Sequence, residues 1–348
     1  MASQRRSALL VLALAALGLL ASAQPSRVVL GGKAVLMVAD LVYAFPAARK
    51  EVVAVAGTDQ GLGSFLSDVD PAFPGLPALD RAAGAEVFAA QKPDLVVLKS
   101  SMRKSLGAQL GALGLKTLYL DLESPDDYFR DLEAIGKAFG SEARAEELAS
   151  YYKDALRRAA APASAGAAAS AGTLAPAREG PRVLLLQASL AGGGAFEVPP
   201  KAWIQSTMVA LAGGQAVWLD ANPGQGWARV SFEQVAAWNP DLLVVIDYRE
   251  GVDKAVAALK ADPRFSSLAC GKSGRILGFP QDYYSWDQPD ARWGLGLLWL
   301  AKALRPADYP DLSLVEEAKA FYRRFYGFDE AAFAAKVLPR LKGDYALK

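Results

Sequence analysis

The sequence predicts an α/β protein of two Rossmann-like lobes, each with a mostly parallel sheet, joined by a single long helix. Three observations lead to this fold class. The segments 95–98 and 242–246 are apolar throughout, as is typical of parallel strands buried on both faces. Such segments alternate with helical patterns in both halves of the chain. Between the halves, the stretch 141–160 carries apolar residues at helical spacing.

The stretch 141–160 has the signals of a complete helix. Ser141 is placed to cap its start, Glu142 lies in its first turn, and Arg157 and Arg158 lie in its last turn. A helix of about 20 residues, at about 1.5 Å per residue, is about 30 Å long, which is the diameter of a small domain. The pattern therefore predicts a helix that joins two lobes.

The domain boundaries follow from these patterns. We expect an N-terminal lobe at 24–123, a helical connector at 124–160 that includes the long helix, and a C-terminal lobe at 181–348. The segment 161–180 consists mostly of Ala, Gly, Ser and Pro, so it has little apolar surface to bury. It is predicted to be a flexible surface insertion.

The start of the chain has the pattern of a secretory signal peptide. Arg5 and Arg6 precede an apolar run at 8–20, and small residues follow up to Ala23. A membrane-spanning helix needs about 20 apolar residues, and this run is shorter. We expect cleavage near Ala23 and a soluble periplasmic or other extracytoplasmic protein. The single cysteine, Cys270, leaves no lipid-acceptor cysteine beside the cleavage site.

Composition excludes several classes of function. The chain has no histidine, which excludes Ser-His-Asp catalysis and imidazole metal ligands. One cysteine allows neither an intramolecular disulfide nor a cysteine-based metal site. With 38 basic and 37 acidic residues the formal charge is +1, and loss of Arg5 and Arg6 brings it to about −1, so charge gives no reason to expect nucleic-acid binding. We expect no cofactor, no metal site and no nucleic-acid partner.

Candidate ligand-binding residues lie in the loops after the predicted strands, because ligands of parallel sheets bind beyond the carboxyl ends of the strands. In the first half these candidates are Lys33, Thr58, Asp59, Lys99, Ser100 and Arg103. In the second half they are Trp227, Tyr248, Arg249, Tyr283, Tyr284 and Trp286. Aromatic residues in such loops suit a large planar ligand, although core packing remains the alternative for each of them.

A repeated frame, Glu-x6-Pro-Asp followed by an apolar strand, occurs once in each half. Its glutamates are Glu86 and Glu233, which precede Pro93 and Pro240 by seven residues. Each acid lies where a helix begins, a position that the helix dipole favours. Two interpretations stay open. Either two similar α/β units contain the same local structure, or matching surface acids on the two lobes bind a symmetric basic partner.

The two frames, AEVFAAQKPDLVVL and FEQVAAWNPDLLVVI, together with the long helix and WGLGLLWLAKALRP, resemble the substrate-binding proteins of ABC importers for ferric siderophores, haem and cobalamin. The resemblance extends from residue 27 to about residue 326. It implies a ligand in the cleft between two lobes, and glutamates at the positions of Glu86 and Glu233 that pair with arginines of the permease dimer. The Asp-x-x-Gly-Arg opening of many siderophore binders is missing, as in the similarly short cobalamin binders.

We therefore expect a monomeric binding protein, not an enzyme, that delivers an iron chelate, a corrinoid or a haem-type ligand to an ABC permease. Without histidine, a haem ligand would need tyrosine at the iron. Two alternatives remain. The same fold could hold a small oxyanion such as molybdate or tungstate through main-chain N–H groups and hydroxyls in the Gly-, Ser- and Thr-rich loops. The chain could also be an exported α/β enzyme, although it lacks a Gly-x-Ser-x-Gly nucleophile motif and a phosphate-binding Gly-x4-Gly-Lys loop.

Overall fold

A computed structural model describes residues 24–58, 60, 61, 63–160, 180–189, 195–249 and 251–347. The predicted signal peptide, Asp59 and nearly all of the predicted insertion lie outside the described residues. Among the residues that are described, none of the helices combines the length and the apolar character needed to cross a membrane.

The N-terminal sheet has five parallel strands in the order β3-β2-β1-β4-β5. They are β1 (Val28–Leu30), β2 (Val52–Ala56), β3 (Ala78–Leu79), β4 (Leu95–Lys99) and β5 (Thr117–Leu120). Every residue of β1 and β4 is buried, as the apolar sequence of these strands predicts. Because β1 is central, the loop that follows it emerges at the middle of the sheet edge.

One helix of the N-terminal half follows each of the first four strands in the sequence. These helices are α1 (Val35–Tyr43), α2 (Phe65–Val69), α3 (Ala85–Ala90) and α4 (Ala108–Ala112). Shorter helical turns lie at Pro46–Arg49, Phe73–Gly75 and Ser100–Met102, and a π-helical turn at Arg103–Gly107 leads into α4. Eight of the nine residues of α1 are buried, which fits a helix that is apolar on nearly all sides.

The connector consists of α5 (Pro125–Ala138) and α6 (Glu142–Ala159). Ser124 caps α5, since its hydroxyl accepts a hydrogen bond of 3.2 Å from the backbone N–H of Asp127. The 18 residues of α6 form the predicted long helix. Ser141 occupies its N-cap position, but it makes no side-chain capping hydrogen bond, and its hydroxyl donates instead to the carbonyl of Phe139. Its Arg144 donates hydrogen bonds to the carbonyl of Ala44 in the N-terminal half and to that of Phe325 near the C-terminus, so α6 is bonded to both halves.

The C-terminal sheet has six strands and is mixed rather than wholly parallel. They are β6 (Arg182–Ser189), β7 (Ala195–Val198), β8 (Gln215–Ala216), β9 (Ala228–Val230), β10 (Leu242–Ile246) and β11 (Ile276–Gly278). The strands β8, β6, β10 and β11 run parallel. In contrast, β7 pairs antiparallel with both β6 and β9 at one side of the sheet.

The longer helices of this half are α7 (Ile204–Leu211), α8 (Phe232–Trp238), α9 (Val252–Ala261), α10 (Trp293–Leu304) and α11 (Leu314–Tyr326). Short turns lie at Pro263–Ser266, Ala269–Lys272, Leu219–Ala221, Pro306–Asp308, Glu330–Ala332, Phe333–Val337 and Leu338–Arg340. The first residue of α10, Trp293, stacks on Tyr152 of α6 with ring centroids 4.6 Å apart. This contact fixes the long helix against the C-terminal half.

Candidate ligand-binding site

The repeated frames have one structural role in common. The carboxylate of Asp94 accepts a hydrogen bond of 3.1 Å from the N–H of Arg27, just before β1. The carboxylate of Asp241 accepts one of 2.8 Å from the N–H of Arg182, the first residue of β6. Each aspartate thus bonds the start of the strand that pairs with the strand of its own frame, so the two halves use the same local structure.

The two lobes meet where the segment 280–292, which follows β11, packs against the loop after β2. Residues 280–292 are buried throughout. A Cβ atom on Gly61 would lie 2.5 Å from the ring of Tyr284, so only glycine permits this approach. The rings of Tyr284 and Phe65 are 6.1 Å apart. The carboxyl ends of β2 and β11 therefore face one junction between the lobes.

The loop between β1 and α1 exposes the start of a helix at the carboxyl edge of the sheet. Gly31 lies so close to the Phe88 ring that a Cβ atom would approach it to 2.3 Å. Ala34, with a positive φ of 57°, occupies the N-cap position, and no described side chain caps this helix. The first N–H groups of a helix have no partner within it and attract anions. Lys33, which is exposed, adds a positive charge beside them.

A cavity of about 250 Å³ lies beside the start of α1. Its walls come from the first turns of α1, the end of β2, the residues around α2 and one residue of the C-terminal half. Among the lining residues are Val35, Asp40, Thr58, Ser64, Phe65 and Tyr284. The walls are mainly apolar, and their polar side chains are those of Asp40, Thr58, Ser64 and Tyr284. The cavity therefore suits an apolar group more than a free ion.

Three half-buried aromatic residues form a row in the C-terminal half. The ring centroids of Trp203 and Trp227 are 5.7 Å apart, and those of Trp227 and Tyr248 are 6.0 Å apart. Both contacts are edge-to-face, the arrangement that aromatic quadrupoles favour. Tyr248 follows β10, and Trp227 precedes β9. We call these three residues the aromatic row.

Three of the sequence-predicted ligand contacts are instead packing or ion-pair residues. Tyr283 and Trp286 are fully buried. The Tyr283 hydroxyl donates to Asp68 at 2.6 Å, and the Trp286 indole N–H donates to Asp282 at 2.9 Å. Lys99 is also buried, and its Nζ lies 2.6 Å from a carboxylate oxygen of Glu123. These polar atoms already have partners, so the structure does not offer them to a ligand.

Of the remaining candidates that the structure describes, all but the buried Tyr284 lie at exposed or partly exposed positions. Lys33, Thr58, Arg103 and Arg249 are exposed. The Arg103 guanidinium lies 3.9 Å from the centroid of the Tyr119 ring, and the Ser100 hydroxyl donates to Asp121. Trp227 and Tyr248 belong to the aromatic row, and Tyr284 lines the cavity beside α1. For all of these residues a contact with ligand stays a prediction.

A buried charge cluster that the sequence analysis did not find joins the lobes. Arg292 is fully buried and lies 2.6 Å from Asp40 of α1 and 2.7 Å from Asp282. It also lies 3.5 Å from Asp290 and donates to the Tyr322 hydroxyl at 2.9 Å. Burial raises the pKa of Asp40 and of Asp290, and the Arg292 cation opposes that shift. The available signal was Asp40, a single acid in an otherwise apolar helix.

The repeated glutamates are both on the surface. Glu86 is exposed in the first turn of α3, and Glu233 is exposed in the first turn of α8. A hydrogen bond from the Ser231 side chain lowers the pKa of Glu233, so this carboxylate is charged at neutral pH. The two acids therefore occupy equivalent positions on equivalent helices of the two halves.

The deciding comparison concerns the sequence itself. Residues 80–283, which are more than half of the chain, match the sequence model of a family described as periplasmic binding protein. The chain belongs to the periplasmic binding protein family. It is accordingly an extracytoplasmic solute-binding protein, and not an enzyme.

Solved structures of similar fold agree with this assignment. An ABC transporter solute binding protein from Sulfurospirillum deleyianum superposes with a TM-score of 0.71 at 20% identity, over 90% of this chain and 94% of that one. The molybdate-bound MolA of Haemophilus influenzae superposes with a TM-score of 0.66 at 19% identity, over 88% of this chain and 94% of that one. A periplasmic heme binding protein from Pseudomonas aeruginosa superposes with a TM-score of 0.58 at 24% identity, over 81% of this chain and 94% of that one. At these identities the similarity shows the fold alone.

One curated relative is similar in sequence. The molybdate-binding protein MolA of Haemophilus influenzae is 30% identical over 103 residues, which cover 29% of this chain and 28% of that protein. The match thus spans little more than a quarter of the relative's length.

The single cysteine lies apart from the candidate site and is expected to be unreactive. Cys270 is buried, and burial raises the pKa of its thiol to about 11. Because the thiolate is the reactive form, native protein should react with a disulfide reagent at pH 8 far more slowly than protein unfolded in denaturant. The measurement is the rate of thiol modification with and without guanidinium chloride. Equal rates in both conditions would contradict the buried position.

Proposed function

We propose that this protein binds a small oxyanion of the molybdate or tungstate type between its lobes and delivers it to the permease of an ABC importer. The observation that carries the proposal is the uncapped start of α1. This helix start follows the central strand of the N-terminal sheet, and Lys33 lies beside it. Helix starts of this kind bind anions through main-chain N–H groups and the helix dipole. The sequence similarity to a molybdate-binding protein supports the same ligand class.

A second candidate ligand is an iron chelate, a corrinoid or a haem. The aromatic row favours it, because flat aromatic surfaces with few polar atoms suit large conjugated ligands. The mainly apolar cavity beside α1 supports the same candidate, since a bare oxyanion gains nothing from apolar walls. For both candidates the proposal places the ligand between the lobes.

The proposal includes export and docking. The chain would lose residues 1–23, act as a monomer, and present Glu86 and Glu233 to arginines of a permease dimer. Their equivalent exposed positions on α3 and α8 support matching contacts with two similar permease subunits.

The test is a set of calorimetric titrations of residues 24–348. The probes are sodium molybdate, sodium tungstate, sodium sulfate, haemin, cyanocobalamin and a ferric siderophore. We expect molybdate or tungstate to bind with a micromolar or lower Kd, and the purified protein to have no visible absorption band. Binding of only haemin, cyanocobalamin or the siderophore would replace the oxyanion proposal by the second candidate. Failure of all six probes would overturn both.

The variant Lys33→Ala tests the location of the site. A hydrogen bond to a charged group contributes about 1.5–3 kcal/mol, so loss of the ammonium group should weaken oxyanion binding about tenfold or more. Lys50→Ala is the matched control, because Lys50 is an exposed lysine whose side chain is 70% accessible beside Glu51. Equal affinity of Lys33→Ala and Lys50→Ala would place the oxyanion elsewhere.

A further inference from the structure

A buried carboxylate lies directly behind the aromatic row. Asp287 is fully buried, and its Oδ2 atom accepts a hydrogen bond of 2.6 Å from the Tyr248 hydroxyl. The same oxygen accepts a second hydrogen bond of 3.2 Å from the side-chain amide of Gln205, which is itself 2% exposed. One oxygen atom thus receives donors from two different elements, the end of β10 and the first turn of α7.

These two hydrogen bonds reach both ends of the aromatic row. Tyr248 is the last ring of the row, and its hydroxyl is held inward while its ring remains half-buried against Trp227. Gln205 lies two residues after Trp203, the first ring, which occupies the N-cap position of α7. Trp227 lies between the two and contacts both. Asp287 is thus bonded directly to Tyr248 and is linked to Trp203 only through Gln205 and the start of α7.

Packing alone does not explain an acid at this position. Among the ion pairs of the described residues, none includes Asp287, and a buried carboxyl group without a cation is costly. Burial raises the pKa of Asp287, against the hydrogen bonds from Ser285, Tyr248 and Gln205. An apolar side chain of similar size would avoid this cost but could not accept either hydrogen bond. What the acid provides is the fixed placement of its two donors.

We propose that Asp287 is a positioning residue of the ligand site, which sets the spacing of the aromatic row by holding Tyr248 and the start of α7. The inference rests on the second candidate of the proposed function, in which the aromatic row faces the ligand. Asp287 itself does not touch the ligand. It acts through Tyr248 and Gln205, and the ligand class that the row recognises carries a flat or apolar surface in contact with those rings.

The experiment compares Asp287→Ala, Asp287→Asn, Tyr248→Phe and the double variant Asp287→Ala/Tyr248→Phe. Affinity is measured for whichever of haemin, cyanocobalamin and the ferric siderophore the unmodified protein binds. We expect Asp287→Ala and Tyr248→Phe each to weaken binding about tenfold, and the double variant to be no weaker than the weaker single variant. Asp287→Asn should remain within about threefold, because the amide oxygen still accepts from Tyr248. Additive losses in the double variant would overturn the inference.

A second readout does not need a ligand. The indole N–H signals of Trp203 and Trp227 are assigned from Trp→Phe variants in spectra of ¹⁵N-labelled protein. In Asp287→Ala and in Tyr248→Phe these two signals should shift, while that of Trp299, whose indole N–H donates to the carbonyl of Asp344, should not. If the unmodified protein binds none of these three probes, the second candidate ligand is wrong, and the indole signals decide the positioning role separately. Unmoved Trp203 and Trp227 signals would overturn it.

Tyr283→Phe is the matched control. It removes a tyrosine–carboxylate hydrogen bond of the same length, 2.6 Å to Asp68, at a fully buried position away from the aromatic row. Its indole signals for Trp203 and Trp227 and its affinity should equal those of the unmodified protein. A loss of affinity as large as that of Tyr248→Phe would show that the effect is general destabilisation and would overturn the inference.

Discussion

Replacement of Arg292 by methionine is expected to destabilise the protein by about 3–5 kcal/mol, the typical cost of removing one partner from a buried ion pair. The guanidinium is the only described cation in contact with Asp40, Asp282 and Asp290. Without it, buried carboxyl groups from both lobes lose their counter-charge and several hydrogen bonds. The measurement is the free energy of unfolding from guanidinium chloride titrations at pH 7.5.

The pH dependence of this effect has a definite sign. Burial already raises the pKa of Asp40 and of Asp290 above the values of the unfolded chain, and removal of the cation should raise both further. A carboxyl group whose folded pKa is raised favours folding at low pH and loses that contribution as the pH rises through the folded value. The destabilisation of Arg292→Met should therefore be smaller at pH 5 than at pH 8.

An exposed ion pair provides the control. Arg264 lies 2.7 Å from Asp262, and its side chain is 59% accessible. Exposed pairs contribute about 0–1 kcal/mol, so Arg264→Met should lower the free energy of unfolding by no more than that. Similar losses for Arg292→Met and Arg264→Met would show that the cluster does not hold the lobes together.

The sequence contained enough information for most of the architecture. The strands β4 and β10 are apolar throughout, and Ser141 to Arg158 carry the signals of one long helix, so these elements and the two-lobe arrangement are confirmed. The antiparallel strands β7 and β9 were not found. They have four and three residues, too few for a period of two to be distinguished from a loop.

The candidate site was less predictable, because loop side chains are fixed by distant partners. Tyr283 and Trp286 lie in a loop with turn-forming residues, a pattern that favours exposure. The structure buries both, and the Tyr283 hydroxyl is bonded to Asp68, 215 positions away in the chain. Lys99 likewise depends on Glu123 of the following loop. Patterns in a single sequence predict which loops lie at the edge of a sheet. They do not predict which side chains in those loops form hydrogen bonds or ion pairs with other residues.

In the repeated frame the structure agrees closely with the sequence pattern. The frame also offers a direct functional test. Its aspartates have a structural role at the starts of β1 and β6, which accounts for the Pro-Asp part of the repeat. The glutamates are not needed for those hydrogen bonds, and both are exposed. This division suggests separate tests for the two acids of each frame.

The double variant Glu86→Ala/Glu233→Ala is expected to bind its ligand within about twofold of the unmodified protein and to lose at least nine-tenths of ligand uptake. Loss of one partner of a desolvated charge pair at an interface costs about 2–5 kcal/mol, so two such losses should abolish productive docking. The measurement is uptake of the ligand identified by titration, in cells that lack their own copy of this protein and carry its permease.

The control for this prediction is Asp126→Ala/Glu316→Ala. Asp126 and Glu316 are also exposed acids in the first turns of helices, α5 and α11, but they lie outside the repeated frame. The control removes the same number of charges and the same interactions with helix dipoles, so any general effect on folding or export should be shared. Normal uptake by the Glu86→Ala/Glu233→Ala variant would refute the docking role. Equal loss of uptake by both double variants would assign the effect to net charge instead. A docking interface that contacts Glu86 and Glu233 specifically should be unaffected by the loss of Asp126 and Glu316.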